Sequence, residues 1–408
     1  EVRTRQPFVL FFGLIALLIQ PIPVSAKPED PAQQRKDFLA AEEAWKQNEQ
    51  HRYRLLKSKL KDYPLYPYLE FQELRSGLDS LSKDRVSEFL KRYADSPLAR
   101  RLRILWLDEL AKRGDWPGYI GFYRDTNNST RRCRYLHALI ETNQQDQAWP
   151  QVEPIWLSGY SRPEACDPVF NAWRKAGKLT PDLVWQRIDL AMNANRTRLA
   201  KYLGRFLPQY ERQWLESWLA VHRQPRKILD RSPFAQAHAY REKILLDGLK
   251  RLARKDTDAA LSAWKVLADR YRFDDDQVYQ AQRSLALAVI RSDHPQAMQR
   301  LDQFEPRSQD TRLMETRVRA ALSRQEWDYA LAWIQALPKV LGDMERWRYW
   351  RARALEAQGE AEQAGLIYHA LAGERSYHGF LAADRIGREY RLDHNPLVVP
   401  SDRLGLVS

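Results

Sequence analysis

The sequence predicts an all-α fold: an irregular, right-handed α-superhelix of stacked helix pairs, a tetratricopeptide-like solenoid with a ring or horseshoe shape. Three observations predict it. Apolar residues recur with a period near 34 between Glu326–Pro338 and Glu360–Ala372. Helix-start signals are spread along the chain, and few runs alternate apolar and polar residues as half-buried strands do. A solenoid of this length needs no division into separate cores, because each unit packs mainly on its neighbours.

The repeat is carried by small and large apolar residues at fixed places. Ala330 and Ala364 are 34 residues apart, and a small residue here lets two helices approach closely. The same offset relates four further pairs: Ala321/Leu355, Gln325/Gly359, Ile334/Tyr368 and Leu337/Leu371. Earlier members of the series are Ala260 and Ala297, and residues 139–155 match the frame once in the first half. We therefore expect helix pairs throughout, with less regular lengths toward the N-terminus.

The N-terminal residues resemble a targeting segment. Arg3 and Arg5 precede the apolar run Phe8–Ile19, and Val24–Ala26 supplies small residues for a cleavage site. A membrane anchor is the alternative, but the run of about 12 residues is shorter than the roughly 20 that a bilayer requires. We expect residues 1–26 to be a secretory signal peptide and the mature chain to be exported, with no transmembrane segment.

Residues 27–396 are expected to form the superhelical domain. Five Ser, Thr or Asp residues followed by Pro predict helix starts, because the first supplies an N-cap and proline suits the first helical turn. They are Asp30–Pro31, Ser96–Pro97, Asp167–Pro168, Thr180–Pro181 and Ser232–Pro233. With usual helix lengths, about 18–24 helices are expected. After Asn395–Pro396 the pattern becomes aperiodic, so residues 397–408 are expected to begin a linker or to be a truncated end.

The two cysteines and the charge both bear on the compartment and the partners. Cys133 and Cys166 are expected to form a disulfide after export, and two buried free thiols are the alternative.

The net charge of +13 favours polyanionic partners. Export favours carboxylate-bearing peptidoglycan and anionic envelope polymers over nucleic acid, which we do not expect as a partner. The excess charge can also be spread over solvated helix faces.

Residue patterns for catalysis, metal binding and cofactor binding do not emerge from the sequence. The eight histidines are scattered without metal-ligand spacing, and neither a nucleophile elbow nor a phosphate-binding or dinucleotide-binding glycine motif occurs. We therefore predict no catalytic, metal-binding or cofactor-binding residue. Aromatic residues are dense among basic ones at Arg346–Arg351, so Trp347 and Tyr349 are a minor hypothesis for glycan contact. Aromatic residues at helical spacing more often pack in the core.

Two segments resemble the large soluble lytic transglycosylases. The first runs from Arg132 to Phe170 and holds both cysteines; the second comprises Tyr349–Leu355 and Tyr377–Tyr390. The resemblance covers about residues 30–396. It implies a ring-like superhelical domain, which in that family precedes a linker domain and a lysozyme-like catalytic domain. It also implies that Cys133 and Cys166 form the domain's disulfide.

The complete enzymes of that family cleave the β-1,4 bond between N-acetylmuramic acid and N-acetylglucosamine without water, leaving a 1,6-anhydro product. Their catalytic glutamate is followed by serine and, further on, by a Gly-Leu-Met-Gln run. Glu216–Ser217 is followed by no such run, so no catalytic residue is carried over to this chain.

The resemblance therefore implies a non-catalytic superhelical portion of a periplasmic enzyme. It would position that enzyme on peptidoglycan, with other cell-wall proteins as further partners. A stand-alone exported helical-repeat scaffold that binds proteins is the alternative.

Overall fold

The structure, a computed structural model, describes residues 30–392, and every regular element among them is an α-helix or a short 3-10 turn. The predicted all-α, helical-repeat fold is confirmed. The described residues form 22 α-helices, within the range expected from the sequence. The predicted signal peptide, 1–26, and the predicted linker or truncated end, 397–408, lie outside the described residues.

Internal contacts divide the chain into two compact units, one of which comprises residues 30–157 and 161–179. Its helices are α1 (Pro31–Lys46), α2 (Gln50–Lys59), α3 (Tyr66–Ser76), α4 (Lys83–Arg92), α5 (Pro97–Arg113), α6 (Trp116–Phe122), α7 (Ser129–Glu141), α8 (Gln145–Trp156) and α9 (Asp167–Lys175). The other unit comprises residues 158–160 and 180–392. Its helices are α10 (Pro181–Asn193), α11 (Thr197–Leu203), α12 (Gln209–Arg223), α13 (Arg241–Lys255), α14 (Thr257–Arg270), α15 (Asp275–Arg291), α16 (Ala297–Asp302), α17 (Thr311–Ser323), α18 (Trp327–Gln335), α19 (Lys339–Gly342), α20 (Glu345–Ala357), α21 (Ala361–Leu371) and α22 (Tyr377–Ile386).

In the first unit, helices α4, α5 and α6 enclose large aromatic side chains. Trp106 and Tyr119 are fully buried, and the Tyr119 hydroxyl donates a hydrogen bond to the Arg131 carbonyl at 3.1 Å. This bond joins α6 to α7, so a polar group that would be costly to bury alone links two consecutive helices.

In the second unit, the alanines of the repeat lie where helices meet. Ala330 in α18 and Ala364 in α21 are 0% and 1% exposed, and Ala260 and Ala297 are equally buried in α14 and α16. Each lies in the second helix of a pair, where a larger side chain would push the first helix away. The sequence period therefore corresponds to one helix pair, as predicted.

The turn within a helix pair repeats as well. Gln325 and Gly359 occupy equivalent turn positions with φ of 57° and 87°. The next backbone N–H then reaches back across the turn, as Glu326 does to the Ala321 carbonyl at 3.0 Å. A left-handed residue followed by such a bond is a common way to satisfy helix C-terminal carbonyls. Four further turns place a residue other than glycine at positive φ in this way: Asn48, Asn143, Asn195 and Asp293.

Three of the five predicted helix starts are N-caps whose side chain accepts a backbone hydrogen bond: Asp30, Ser96 and Thr180. The fourth predicted helix start is right but its N-cap is not, and the fifth prediction is wrong. At Asp167 the helix includes the aspartate itself, because a 3-10 turn over Glu164–Cys166 runs directly into it. At Ser232 the structure forms only the 3-10 turn Ser232–Phe234.

Three further expectations stay predictions: that residues 27–396 form one continuous domain, that the superhelix is right-handed, and that it has a ring or horseshoe shape.

Candidate functional site

The cysteine-bearing segment is tied together as predicted. Cys133 in α7 and Cys166 form a disulfide, with both residues fully buried and their Cα atoms 4.8 Å apart. Arg162 supports the same segment, because its Nε donates to the Ile155 carbonyl at 2.7 Å. The disulfide is thus confirmed, and the alternative of two free thiols is excluded for this structure. Its role is to hold α7 against the start of α9.

The hypothesis of glycan contact by Trp347 and Tyr349 stays a prediction, and the burial of both side chains counts against it. These side chains in α20 are only 2% and 6% exposed. The Trp347 Nε1 donates to Glu315 at 3.1 Å, and the Tyr349 ring packs against Tyr368 with ring centroids 6.0 Å apart. Neither ring presents a face to solvent. Both residues pack in the core, which is the alternative expected for aromatic residues at helical spacing.

A polar cleft lies beside α12, and we call it the α12 cleft. Its volume is about 570 Å³, within the range of small-ligand sites. Side chains from α12 and from residues 227–236 line it: Gln213, Trp214, Glu216, Ser217, Lys227, Asp230, Ser232 and Gln236. Amide, carboxylate, hydroxyl and ammonium groups beside a half-buried indole can hydrogen-bond and stack a polar, uncharged ring such as a sugar.

The Glu216–Ser217 pair lies on the wall of this cleft. Glu216 is exposed, and the Ser217 hydroxyl donates back to the Gln213 carbonyl at 3.0 Å. A glycosidic acid needs a desolvated setting around the scissile bond. The setting of Glu216 is open to water. That this chain carries no catalytic residue stays a prediction.

Behind Trp214 the structure assembles an aromatic cluster that sequence reasoning missed. Glu211 accepts hydrogen bonds from Trp185 Nε1 at 2.6 Å and lies 2.9 Å from His238 Nε2. The His238 ring stacks on Trp214 with centroids 4.4 Å apart.

Tyr240 belongs to the same cluster. Burial, together with the carboxylates of Asp189, Asp182 and Glu211, raises the pKa of Tyr240 to about 12. The cluster fixes the indole that faces the cleft, and no single motif could have revealed it, because its members lie on three separate segments.

The described residues also bear on metals and membranes. Between residues 30 and 392 no group of three or more His, Cys, Asp and Glu side chains is placed to hold a metal ion. Nor does any helix in this range have the length and apolar character needed to cross a bilayer.

Some known proteins are similar to this chain in both sequence and fold. The soluble lytic murein transglycosylase of Escherichia coli K12 is 31% identical over 370 residues. The crystal structure of the 70 kDa soluble lytic transglycosylase from Escherichia coli superimposes with a TM-score of 0.75 at 29% identity, over 92% of this chain and 61% of that one. The lytic transglycosylase Slt of Pseudomonas aeruginosa gives 0.73 at 33% identity, over 91% and 61%.

These similarities cover most of this chain but only part of the relatives. The match to the Escherichia coli protein spans 90% of this chain and 57% of that relative. This chain therefore spans little more than half the length of the relative it matches.

One family model, for the cucumovirus coat protein, matches residues 139–231. The match begins inside α7 and ends between two 3-10 turns, and it covers less than a quarter of the chain. Because it corresponds to no structural unit, it indicates neither a family nor a function.

Proposed function

Because this chain is a homologue of the soluble lytic murein transglycosylases, we propose that it is the superhelical scaffold portion of a periplasmic enzyme of that kind. The complete enzyme would cleave the β-1,4 bond between N-acetylmuramic acid and N-acetylglucosamine to 1,6-anhydro products. This portion would hold the enzyme on peptidoglycan without performing the chemistry. The observation that carries the proposal is the similarity over 90% of this chain to 57% of the relative.

The α12 cleft is the proposed place of glycan contact. We place the glycan contact at this cleft and not at Trp347 and Tyr349, because those two rings are buried. Trp214 is half-buried and lines the cleft, so part of its ring is accessible. Its hydrogen-bonding side chains include the exposed Gln213 and Glu216, which can reach sugar hydroxyls without unfolding α12.

Sedimentation with purified peptidoglycan sacculi tests both parts of the proposal. We expect the full chain to sediment with sacculi and to release no anhydro-muropeptides. Release of such products would overturn the non-catalytic assignment. A chain that stays in the supernatant would overturn the positioning role and support the stand-alone scaffold instead.

A matched pair of variants tests the cleft. Gln213→Ala with Glu216→Ala removes two exposed polar side chains from the cleft. Gln363→Ala with Glu362→Ala makes the same chemical change on the exposed surface of α21. We expect only the first variant to bind sacculi more weakly. Equal binding by both variants would place the glycan contact elsewhere.

A further inference from the structure

A second groove, which we call the cationic groove, carries a concentrated positive charge. It has a volume of about 830 Å³ and lies wholly in the second unit. Five cations and one carboxylate line it: Arg231, Arg241, Lys265, Arg270, Arg272 and Asp269. Phe234 and Tyr271, which are 1% and 8% exposed, form its apolar base. These residues come from the 3-10 turn, the start of α13 and the end of α14.

Two of the arginines are held in place by the protein itself. The Arg241 guanidinium donates to Glu242 at 2.9 Å and lies 5.2 Å from the centre of the Tyr271 ring. Arg270 Nη1 donates to the Leu229 carbonyl at 3.2 Å. Both contacts position a cation over the base of the groove and leave part of its hydrogen-bonding capacity unused, because a guanidinium has five N–H donors.

The other three cations of the groove are exposed to solvent and are not paired with a carboxylate. Arg231, Lys265 and Arg272 are exposed, and within the described residues none of them forms an ion pair. Some exposed arginines elsewhere in this unit do have acidic partners, as Arg226 has Asp256 at 2.6 Å. Like charges that converge in one groove repel each other, and an anionic ligand would relieve that repulsion.

The groove is shaped for a chain with several carboxylates. Its volume of about 830 Å³ is near the upper end of the range of small-ligand sites, about 300–1,000 Å³, so it has room for more than a single small anion. Guanidinium groups bind carboxylates through paired hydrogen bonds, so several arginines along one groove favour a ligand with several such groups. The cationic groove also shares Phe234 and Ala235 with the α12 cleft.

We propose that the cationic groove binds the carboxylate-bearing peptide that peptidoglycan carries on its sugar chain. This inference rests on the proposed function, because it assigns the peptide part of peptidoglycan to a groove that adjoins the α12 cleft. A sugar in the α12 cleft and its attached peptide in the cationic groove would lie on either side of the turn Ser232–Phe234.

Binding of a synthetic stem peptide to the full chain tests the proposal. The probe is fluorescently labelled alanyl-γ-glutamyl-diaminopimelyl-alanine with free carboxylates, and the same peptide with amidated carboxylates is its control. We expect only the free acid to raise the fluorescence anisotropy, with an affinity that falls as salt is added.

The variant Arg231→Gln with Arg272→Gln should weaken binding at least about tenfold, or about 1.4 kcal/mol. The matched control, Lys250→Gln with Arg254→Gln, removes the same charge from exposed positions of α13 outside the groove. These positions lie about 14 and 20 Å along the helix from Arg241. We expect the control to bind within about twofold of the parent chain, since exposed charges at that distance are largely screened.

Each other outcome overturns the inference. Equal losses in both double variants would mean that net charge alone attracts the peptide. Tighter binding of inorganic phosphate or of a thymidine oligonucleotide would assign the groove to phosphate ligands. A chain that sediments with sacculi but ignores the peptide would refute the groove assignment and leave the proposed function intact. Failure to sediment with sacculi would refute the proposed function itself.

Discussion

A single substitution, glycine to alanine, should have opposite effects in two helices of this protein. Gly248 lies in α13, where a Cβ would meet Ile228 Cγ2 at 2.2 Å and Val221 Cγ1 at 2.5 Å. Gly365 lies in α21, where a Cβ would meet no heavy atom within 4 Å. Both sites should gain up to about 1 kcal/mol from the better helix propensity of alanine. At Gly248 that gain competes with overpacking, which costs about 1–3 kcal/mol.

Ile228 and Val221 are 0% and 1% exposed, so neither side chain can turn into solvent to make room. We therefore expect Gly248→Ala to lower the free energy of unfolding by about 1 kcal/mol and Gly365→Ala to raise it by about 0.5–1 kcal/mol. Urea denaturation followed by circular dichroism measures both. The penalty at Gly248 should shrink in an Ile228→Ala background, because the two sites are in contact. A Gly248→Ala chain as stable as the parent would refute the packing argument.

Three further predictions concern stability. Replacing Cys133 and Cys166 by alanine, or reducing the disulfide, should cost about 4 kcal/mol in urea denaturation for a sequence separation of 33; identical curves with and without reductant would contradict this. Tyr240 has a pKa raised to about 12 by burial and neighbouring carboxylates, so the stability it contributes is complete below pH 10 and lost as pH rises toward 12. Tyr240→Phe should lack that part of the alkaline loss in a pH series of unfolding midpoints. Trp347→Phe should destabilise by about 1 kcal/mol through the lost hydrogen bond to Glu315, with unchanged sedimentation on sacculi; weaker sedimentation of a fully folded variant would restore the glycan hypothesis.

The fold class was predictable because its signals are local. The spacing of Ala330 and Ala364 reflects one helix pair, and the structure buries both. Gln325 and Gly359 share an offset in the sequence because both occupy the left-handed turn position. A helix turn, its cap and its buried face depend on residues a few positions apart, so they leave a periodic trace in the sequence.

The side that a residue faces was less predictable. The aromatic and basic run Arg346–Arg351 has the composition of a glycan-contact surface, yet Trp347 and Tyr349 are buried. Period alone shows that aromatic residues share a helix face, but only the neighbouring helices determine which face is covered. Glu315, 32 positions before Trp347, accepts the indole hydrogen bond and makes burial of that polar group tolerable.

The sequence by itself determined the helices, their pairing and the cysteine pair, since each depends on short-range periodicity or on having a single available partner. Only the tertiary structure decided which side chains meet around the two grooves. Arg231 and Arg272 come from different elements and converge on one groove, while Glu211 joins Trp185 to His238. Such groups are brought together by the packing of helices that are distant in sequence, and neither composition nor period records that packing.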